Sequence, residues 1–437
     1  MLKRIASFLL VAAALAASVV FTPALNLQIG ELPNATTLDV KARDLSLVCP
    51  GGAYKATSKL GEFEQIGSPL ISSQFNGSAN TALSIQDGVY TVSDPAGVDA
   101  QGSALLNVNQ VQALDGATLA GLSGAACQRA TQDLWLVGGD TRVGREALLI
   151  LKNPTSVDST VDLQVFSEGG FVDAPGLTGI SVIGGKTTII PLSGLIPKTA
   201  SFATHVTAKG GAIAAWIQQR TIHGLTASGF DYVSPSPQAA KQQVIPGVLI
   251  RGAKLAKKLI TADADYADLQ TVLRVYVPGA KPATVTAQLV GATAKTFGTV
   301  IQATVPGGSV IDLPFTSVAD GDYFVLVNSN VKVQTAVRLS RIVSAKAPDF
   351  AWVAAADGSN ALRKISLPIQ GISKLAVYNQ STQKYEVSLA GAGSTVSVGN
   401  GSDQIYATLI VDVDGSVANI PVLDQKNSGG KVAVSVR

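Results

Sequence analysis

The sequence is poor in the residues that most often build reactive centres. It holds two His, two Cys and one Met in 437 residues. That count nearly excludes a His-based metal site or a Cys-rich zinc module. Charge is also scarce, at 14% Asp, Glu, Lys and Arg, where an average globular chain has about 25%. Coiled coils and long helices need abundant charged residues, so this scarcity argues against them. The 33 basic and 30 acidic residues leave a net charge of +3 with no basic run, so nothing points to nucleic acid. What is plentiful is apolar and turn-forming: 46% hydrophobic residues and 43 Gly. That composition fits a folded chain of short elements.

The N-terminus bears on compartment. Lys3 and Arg4 precede an uncharged run from Ile5 to Phe21, followed by Thr22-Pro23-Ala24. Positive charge ahead of an apolar segment and a small residue after it is the layout of a secretory leader. The run also reaches the lower length limit of a spanning helix. Residues 1–24 are therefore expected to be a signal peptide or an uncleaved signal anchor, with a buried core helix as the bland alternative. The charge asymmetry places the remainder outside the cytoplasm, with membrane contact through residues 5–21 if they are retained.

Beyond Pro23 the apolar residues often alternate at period 2, as in Thr160-Val161-Asp162-Leu163-Gln164-Val165. Others form short runs, such as Leu148-Leu149-Ile150-Leu151, which suit a strand buried on both faces. These segments are rich in β-branched residues and bounded by Gly, Pro, Asn and Asp, so they predict strands. Helix signals are rare, and the best candidate is the short stretch Gly252 to Ile260.

The order of elements repeats. A strand, a turn with Asn or Pro, a strand, a Gly-rich loop, a strand and a closing hairpin recur from Leu148, from Val272 and, in shorter form, from Lys374. Each block is about the size of an immunoglobulin-like sandwich. The expected architecture is mainly β: an irregular β unit over 25–132, immunoglobulin-like β-sandwiches over 133–237 and 238–347, and a shorter sandwich over 348–437. Ser234-Pro235-Ser236-Pro237 and residues 345–360 are expected to be linkers.

Each candidate motif has a plainer reading beside it. Cys49 and Cys127 are most simply one disulfide in an exported chain, though two free thiols or intermolecular links are alternatives. Gly184-Gly185-Lys186-Thr187 resembles the end of a phosphate loop but lacks its first glycine and its helix, so a turn is expected. Asp263, Asp265 and Asp268 are a short-spaced acidic cluster without the glycine and glutamate of a calcium loop, and read as a solvated loop. Asp412-Val413-Asp414-Gly415-Ser416 reads as a hairpin. His205 and His223 have no nucleophile elbow in the chain to pair with, and read as strand histidines. Four Asn-x-Ser/Thr matches, at Asn34, Asn76, Asn379 and Asn400, look incidental. Trp135, Trp216 and Trp352 occur about once per block. They are expected to fill the cores, with stacking on a sugar ring as the functional alternative.

The layout resembles an uncharacterised actinobacterial family of envelope proteins, known only as a domain of unknown function. The residues that carry the resemblance are Cys49-Pro50-Gly51 after an apolar segment, Cys127, Leu134-Trp135-Leu136-Val137-Gly138-Gly139, and Leu148 to Pro154. The resemblance implies an exported or membrane-anchored β protein and offers no activity to transfer.

The expected role is non-catalytic: a structural or adhesive envelope protein that presents stacked sandwiches outside the membrane, with no cofactor or metal. Its partners would be cell-wall polysaccharide or another envelope protein. The runner-up is a carbohydrate-binding surface protein. The third reading is an exported hydrolase whose site leaves no local motif.

Overall fold

The computed structural model describes residues 36–39, 45–59, 61–75, 82–86, 89–93, 106–293, 298–343, 348–413, 416–423 and 431–434. The leader segment 5–21, Asn34, Asn76 and the turn residues Asp414 and Gly415 lie outside them. Strands account for 60% and helices for 6%, so the mainly β expectation holds. Two compact units divide the chain. The small one, 1–42 with 428–437, contains the antiparallel pair Thr36–Asp39 and Lys431–Val434. The large one spans 43–427.

Within the large unit, residues 133–236 form two sheets. One runs Gly170–Val172, Ser159–Ser167, Phe202–Gly210, Asp133–Val137 and Pro235–Ser236. The other runs Thr187–Pro191, Arg145–Lys152, Ala214–His223 and Thr226–Val233. Period-2 alternation decides the core. Val161, Leu163 and Val165 from the first sheet meet Leu149, Leu151 and Ile217 from the second. The opposite face of the second sheet is covered too. Leu148, Ile150 and Trp216 pack there with Val48, Tyr54 and Ala125. The run Leu148–Leu151 is thus buried on both faces, as its composition predicts. Pro235–Ser236 pairs with Trp135 and Leu136, so the Ser-Pro stretch is an edge strand, not a free linker.

The next set of strands is organised by one long element, Gly321–Arg341. Its first half pairs with Ala240–Ile250 and Ala283–Gly291, and its second half with Val272–Tyr276 and Asp349–Ala354. Asp349–Ala354 lies inside the segment expected to be a linker. Every residue of it is buried, because a DFAWVA sequence bounded by turns completes the sheet before it. The second set of strands therefore runs on to Ala354, beyond the expected boundary at 347. The helix is Ala253–Ala262, close to the predicted span. The last strands are Ile372–Asn379, Lys384–Ala390, Ile405–Val413 and Ser416–Pro421, with the separate pair Arg363–Ser366 and Thr395–Val398.

Four strands bring these sets together. Ala120–Ala126, Thr226–Val233, Asp349–Ala354 and Ser416–Pro421 are each the last strand of a sheet. Strand 120–126 packs on 226–233 and on 416–421, and strand 349–354 also packs on both of those. Leu122 and Ala126 share one apolar cluster with Ala418 and Ile420. The large unit is thus closed around a four-strand junction.

Candidate functional site

A strand at the end of a sheet carries N–H groups that no ladder satisfies, and burying them unpaired costs about as much as a lost hydrogen bond. Two carboxylates meet that demand in the junction. Asp231 accepts from the N–H of Gly124 at 3.3 Å and from that of Trp352 at 2.8 Å. Asp349 accepts from Leu122 N–H at 3.1 Å and Phe350 N–H at 2.9 Å, and is also hydrogen-bonded to the Ser416 side chain. Each aspartate thereby ties its own strand to others across the junction. Gly121 and Gly229, at φ +132° and +99°, leave room for the Asp349 carboxyl.

Both carboxyls are buried, and burial raises them. Asp231 is pushed well above the usual carboxylate range by loss of water, opposed by its N–H bonds and reinforced by the neighbouring Asp349. Burial pushes Asp349 up to about 7, against the Ser416 bond, the Phe350 and Leu122 N–H bonds and the Arg341 charge. A pocket of about 420 Å³ opens beside Asp349, with Asp115, Gly121, Ala227, Gly229 and Ser416 in its wall.

A second cluster joins sheet to helix. His223 Nε2 lies 2.9 Å from Asp268 Oδ1, and Asp268 Oδ2 takes bonds from Arg145 at 3.1 Å and Arg338 at 3.3 Å. Burial alone would raise the Asp268 carboxyl. Arg338, the His223 bond and Arg145 outweigh it and hold Asp268 well below its ordinary range. Arg145 also reaches Asp265 at 2.6 Å. Of the three acids expected in a solvated loop, Asp268 and Asp265 are therefore structural ion-pair partners. Asp263 caps the turn that follows by accepting from Asp265 N–H.

The two histidines make carboxylate contacts, with no hydrogen bond to a hydroxyl or thiol among the described residues. His205 sits between Gln164 and Asp133, each at 3.1 Å. Nδ1 of His223 is buried without a partner. The tryptophans divide. Trp216 is fully buried, and Trp352 is 3% exposed, with its Nε1 bonded to Gln219 and the Arg274 guanidinium over its ring. Neither ring has a face to offer a ligand, which corrects the stacking alternative for both. Trp135 is half-buried. It stacks on His205 at 4.1 Å and on Tyr276 at 5.0 Å, and the half-exposed Phe171 lies edge-on to neighbouring Phe166. Cys49 and Cys127 form a buried disulfide, as expected.

Sequence reasoning missed Asp231 and Asp349. A signal was present: each acid stands in or against an apolar strand run, Phe230-Asp231-Tyr232 and Asp349-Phe350-Ala351-Trp352. Acids are depleted in strands and almost never fully buried without partners.

Fold and site together define a mainly β protein whose sheets meet at a buried carboxylate junction. The chain belongs to the Family of unknown function (DUF5719), which matches residues 81–404. No curated protein matches it. Among solved structures, it is similar to the crystal structure of Thermotoga maritima 1070, at 12% identity and a TM-score of 0.22, over 27% of this chain and 95% of that one. It is also similar to a structure of allantoicase, at 8% identity and a TM-score of 0.14, over 68% of this chain and 92% of that one. Both likenesses are too remote to bear on function.

Proposed function

We propose that the chain is an extracytoplasmic, non-catalytic structural protein of the cell envelope, built from immunoglobulin-like sandwich units. The observation that carries this reading is how its buried ionisable groups are used. Asp231, Asp349, Asp268 and Arg274 each join one set of strands to another. Arg274 is the clearest case: it pairs with Asp312 in its own sheet and donates to the carbonyls of Gly139 and Ala200 in the preceding unit. Groups committed in this way give rigidity. The disulfide supports the compartment, because such bonds persist where thiols are not kept reduced.

The test is protease accessibility in intact cells, combined with mass mapping of the Cys49–Cys127 bond without reductant. Protection of the folded chain until the membrane is opened, with both thiols free, would defeat the reading.

A specific observation also favours carbohydrate binding. Trp135, Phe166 and Phe171 form an aromatic group next to the polar Gln164 and Asp133 on the outer face of one sheet. Aromatic surface beside hydrogen-bonding groups suits a sugar ring. Retention on polysaccharide that Phe171→Ala abolishes would favour this second reading.

A further inference from the structure

We propose that one end of the large unit docks on an anionic lipid bilayer, independently of the N-terminal segment and of the structural role above. Three observations converge there.

First, two apolar side chains stand at loop tips. Leu225 is 97% exposed and Val143 is 86% exposed. Leu225 follows Gly224 in the two-residue turn that closes the hairpin between His223 and Thr226. Such turns usually carry Gly, Asn or Asp, and the fold gains nothing from Leu at this place. Val143 lies in the neighbouring loop, held to that hairpin by Ile222 N–H donating to Gly144 O at 2.8 Å.

Second, cations lie beside one tip and on the helix joined to the tips. Lys198 shares a surface recess with Val143 and Arg142. Its loop is fixed to theirs by Thr141 N–H bonding Thr199 O. Helix 253–262 adds Lys254, Lys257 and Lys258, all exposed. At about 100° per residue these three and Thr261 fall within roughly 100° of arc, while Leu255, Leu259 and Ile260 occupy the opposite, half-buried side. The helix carries no acid. None of the four lysines has an ion-pair partner among the described residues.

Third, the helix is joined to the tips. The turn after the helix is locked to the tip-bearing strands by Arg145 to Asp265 and Asp268, and by His223, which bonds Asp268 and stacks on Tyr266 at 4.4 Å. The Asp265 and Asp268 charges are neutralised there, as Asp140 is by Arg142; Asp263 and Asp320 stand at the two ends of the helix, so Lys198, Lys254, Lys257 and Lys258 leave a net positive charge.

Apolar tips joined to a cationic helix suit one partner best. The tips enter the headgroup region while the lysines meet lipid phosphates, and the two contributions add. A soluble polyanion would use the lysines and leave Leu225 and Val143 without a role.

The test uses the full chain with vesicles of equal parts phosphatidylglycerol and phosphatidylcholine, against phosphatidylcholine alone. In Leu225→Trp the new indole reports insertion, read as the difference from the parent chain, in which Trp135, Trp216 and Trp352 give the background. Its emission is expected to shift to the blue on anionic vesicles and to stay unchanged on neutral ones. Replacing Lys254, Lys257 and Lys258 by Ala, which preserves the helix, should weaken anionic binding by about fivefold per lysine, or on the order of 100-fold together. The proposal is overturned if the chain sediments with anionic vesicles while the Leu225→Trp emission stays fixed. It is equally overturned if the triple variant binds as the parent does, or if soluble polyphosphate binds as tightly as anionic vesicles and displaces them.

Discussion

A Cβ on Gly121 would stand 2.7 Å from Oδ1 of Asp349. The missing side chain is thus what admits the carboxyl to the junction, and φ of +132° adds a backbone preference for Gly. Gly121→Ala is expected to destabilise the chain by about 2–4 kcal/mol through clash and backbone strain. Gly229→Ala, which meets the same oxygen, should cost a similar amount. Because both changes strike one carboxyl, the double variant should cost less than the sum. Denaturant melts of the four chains measure this, and strict additivity would show that the two glycines act separately.

The same carboxyl makes stability depend on pH. Asp349 is raised to about 7 in the folded chain, whereas an unfolded Asp titrates near pH 3.9. Below that value both states hold the proton and the full stability is present. As pH rises from about 4 to about 7 the unfolded chain releases its proton first, so stability falls, by a few kcal/mol at most. Asp231, shifted in the same direction, adds to the fall. Melting temperature should therefore drop between pH 5 and pH 7. Asp349→Asn should be less stable at pH 5, because Leu122 and Phe350 N–H bond different carboxyl oxygens and the amide sets an NH2 donor against one of them, and should show a flatter slope. A variant that kept the parent slope would remove Asp349 as its source.

Asp268 acts on the acid side. Its lowered carboxyl contributes stability above the unfolded value near 3.9, which is lost as pH falls further. Asp268→Asn also leaves the buried Arg338 without its charge partner. A loss of about 3 kcal/mol is expected at pH 7, where removing one member of a buried pair costs most. Urea midpoints at pH 7 and below pH 4 should differ less in the variant than in the parent.

Arg274→Lys removes the bidentate contact to Asp312 and strands carbonyls that the guanidinium reaches. Lys cannot copy that planar fork. A loss of about 2–4 kcal/mol is expected from the buried groups left unpaired. Equilibrium unfolding checks it, and a change within experimental error would mean that the two sets of strands hold without the tie.

Cys49 and Cys127 are 78 residues apart. Replacing both by Ala should cost roughly 4 kcal/mol in the chain-entropy account of loop closure. Thermal melts of the parent with and without reductant should bracket the variant.

Local pattern made the strands, the helix near 252–260 and the Cys49–Cys127 pair legible, because periodicity, end signals and a lone cysteine pair are properties of short stretches or simple counts. The junction was not. Asp231 and Asp349 gain their meaning from N–H groups more than 100 residues away in sequence for Gly124 and Trp352 alike. The acidic cluster at 263–268 was visible as composition, but Arg145 and Arg338, which decide its character, approach only in the fold. Strand 349–354 was lost to a linker because a nearby Pro and several small residues outweighed its six apolar-rich positions.

The four-strand junction also limits how the chain can be divided. Each terminal strand is shielded by strands from other sets, so a fragment ending at 237 or at 347 would uncover backbone that is ordinarily sealed. Such fragments would self-associate through the bared main chain, and limited proteolysis of the large unit should trim loops without releasing soluble modules. Although its sequence reads as a series of repeated blocks, the region from 43 to 427 would be gained or lost as a whole, and expression screens that cut it at the apparent repeat boundaries would recover aggregates.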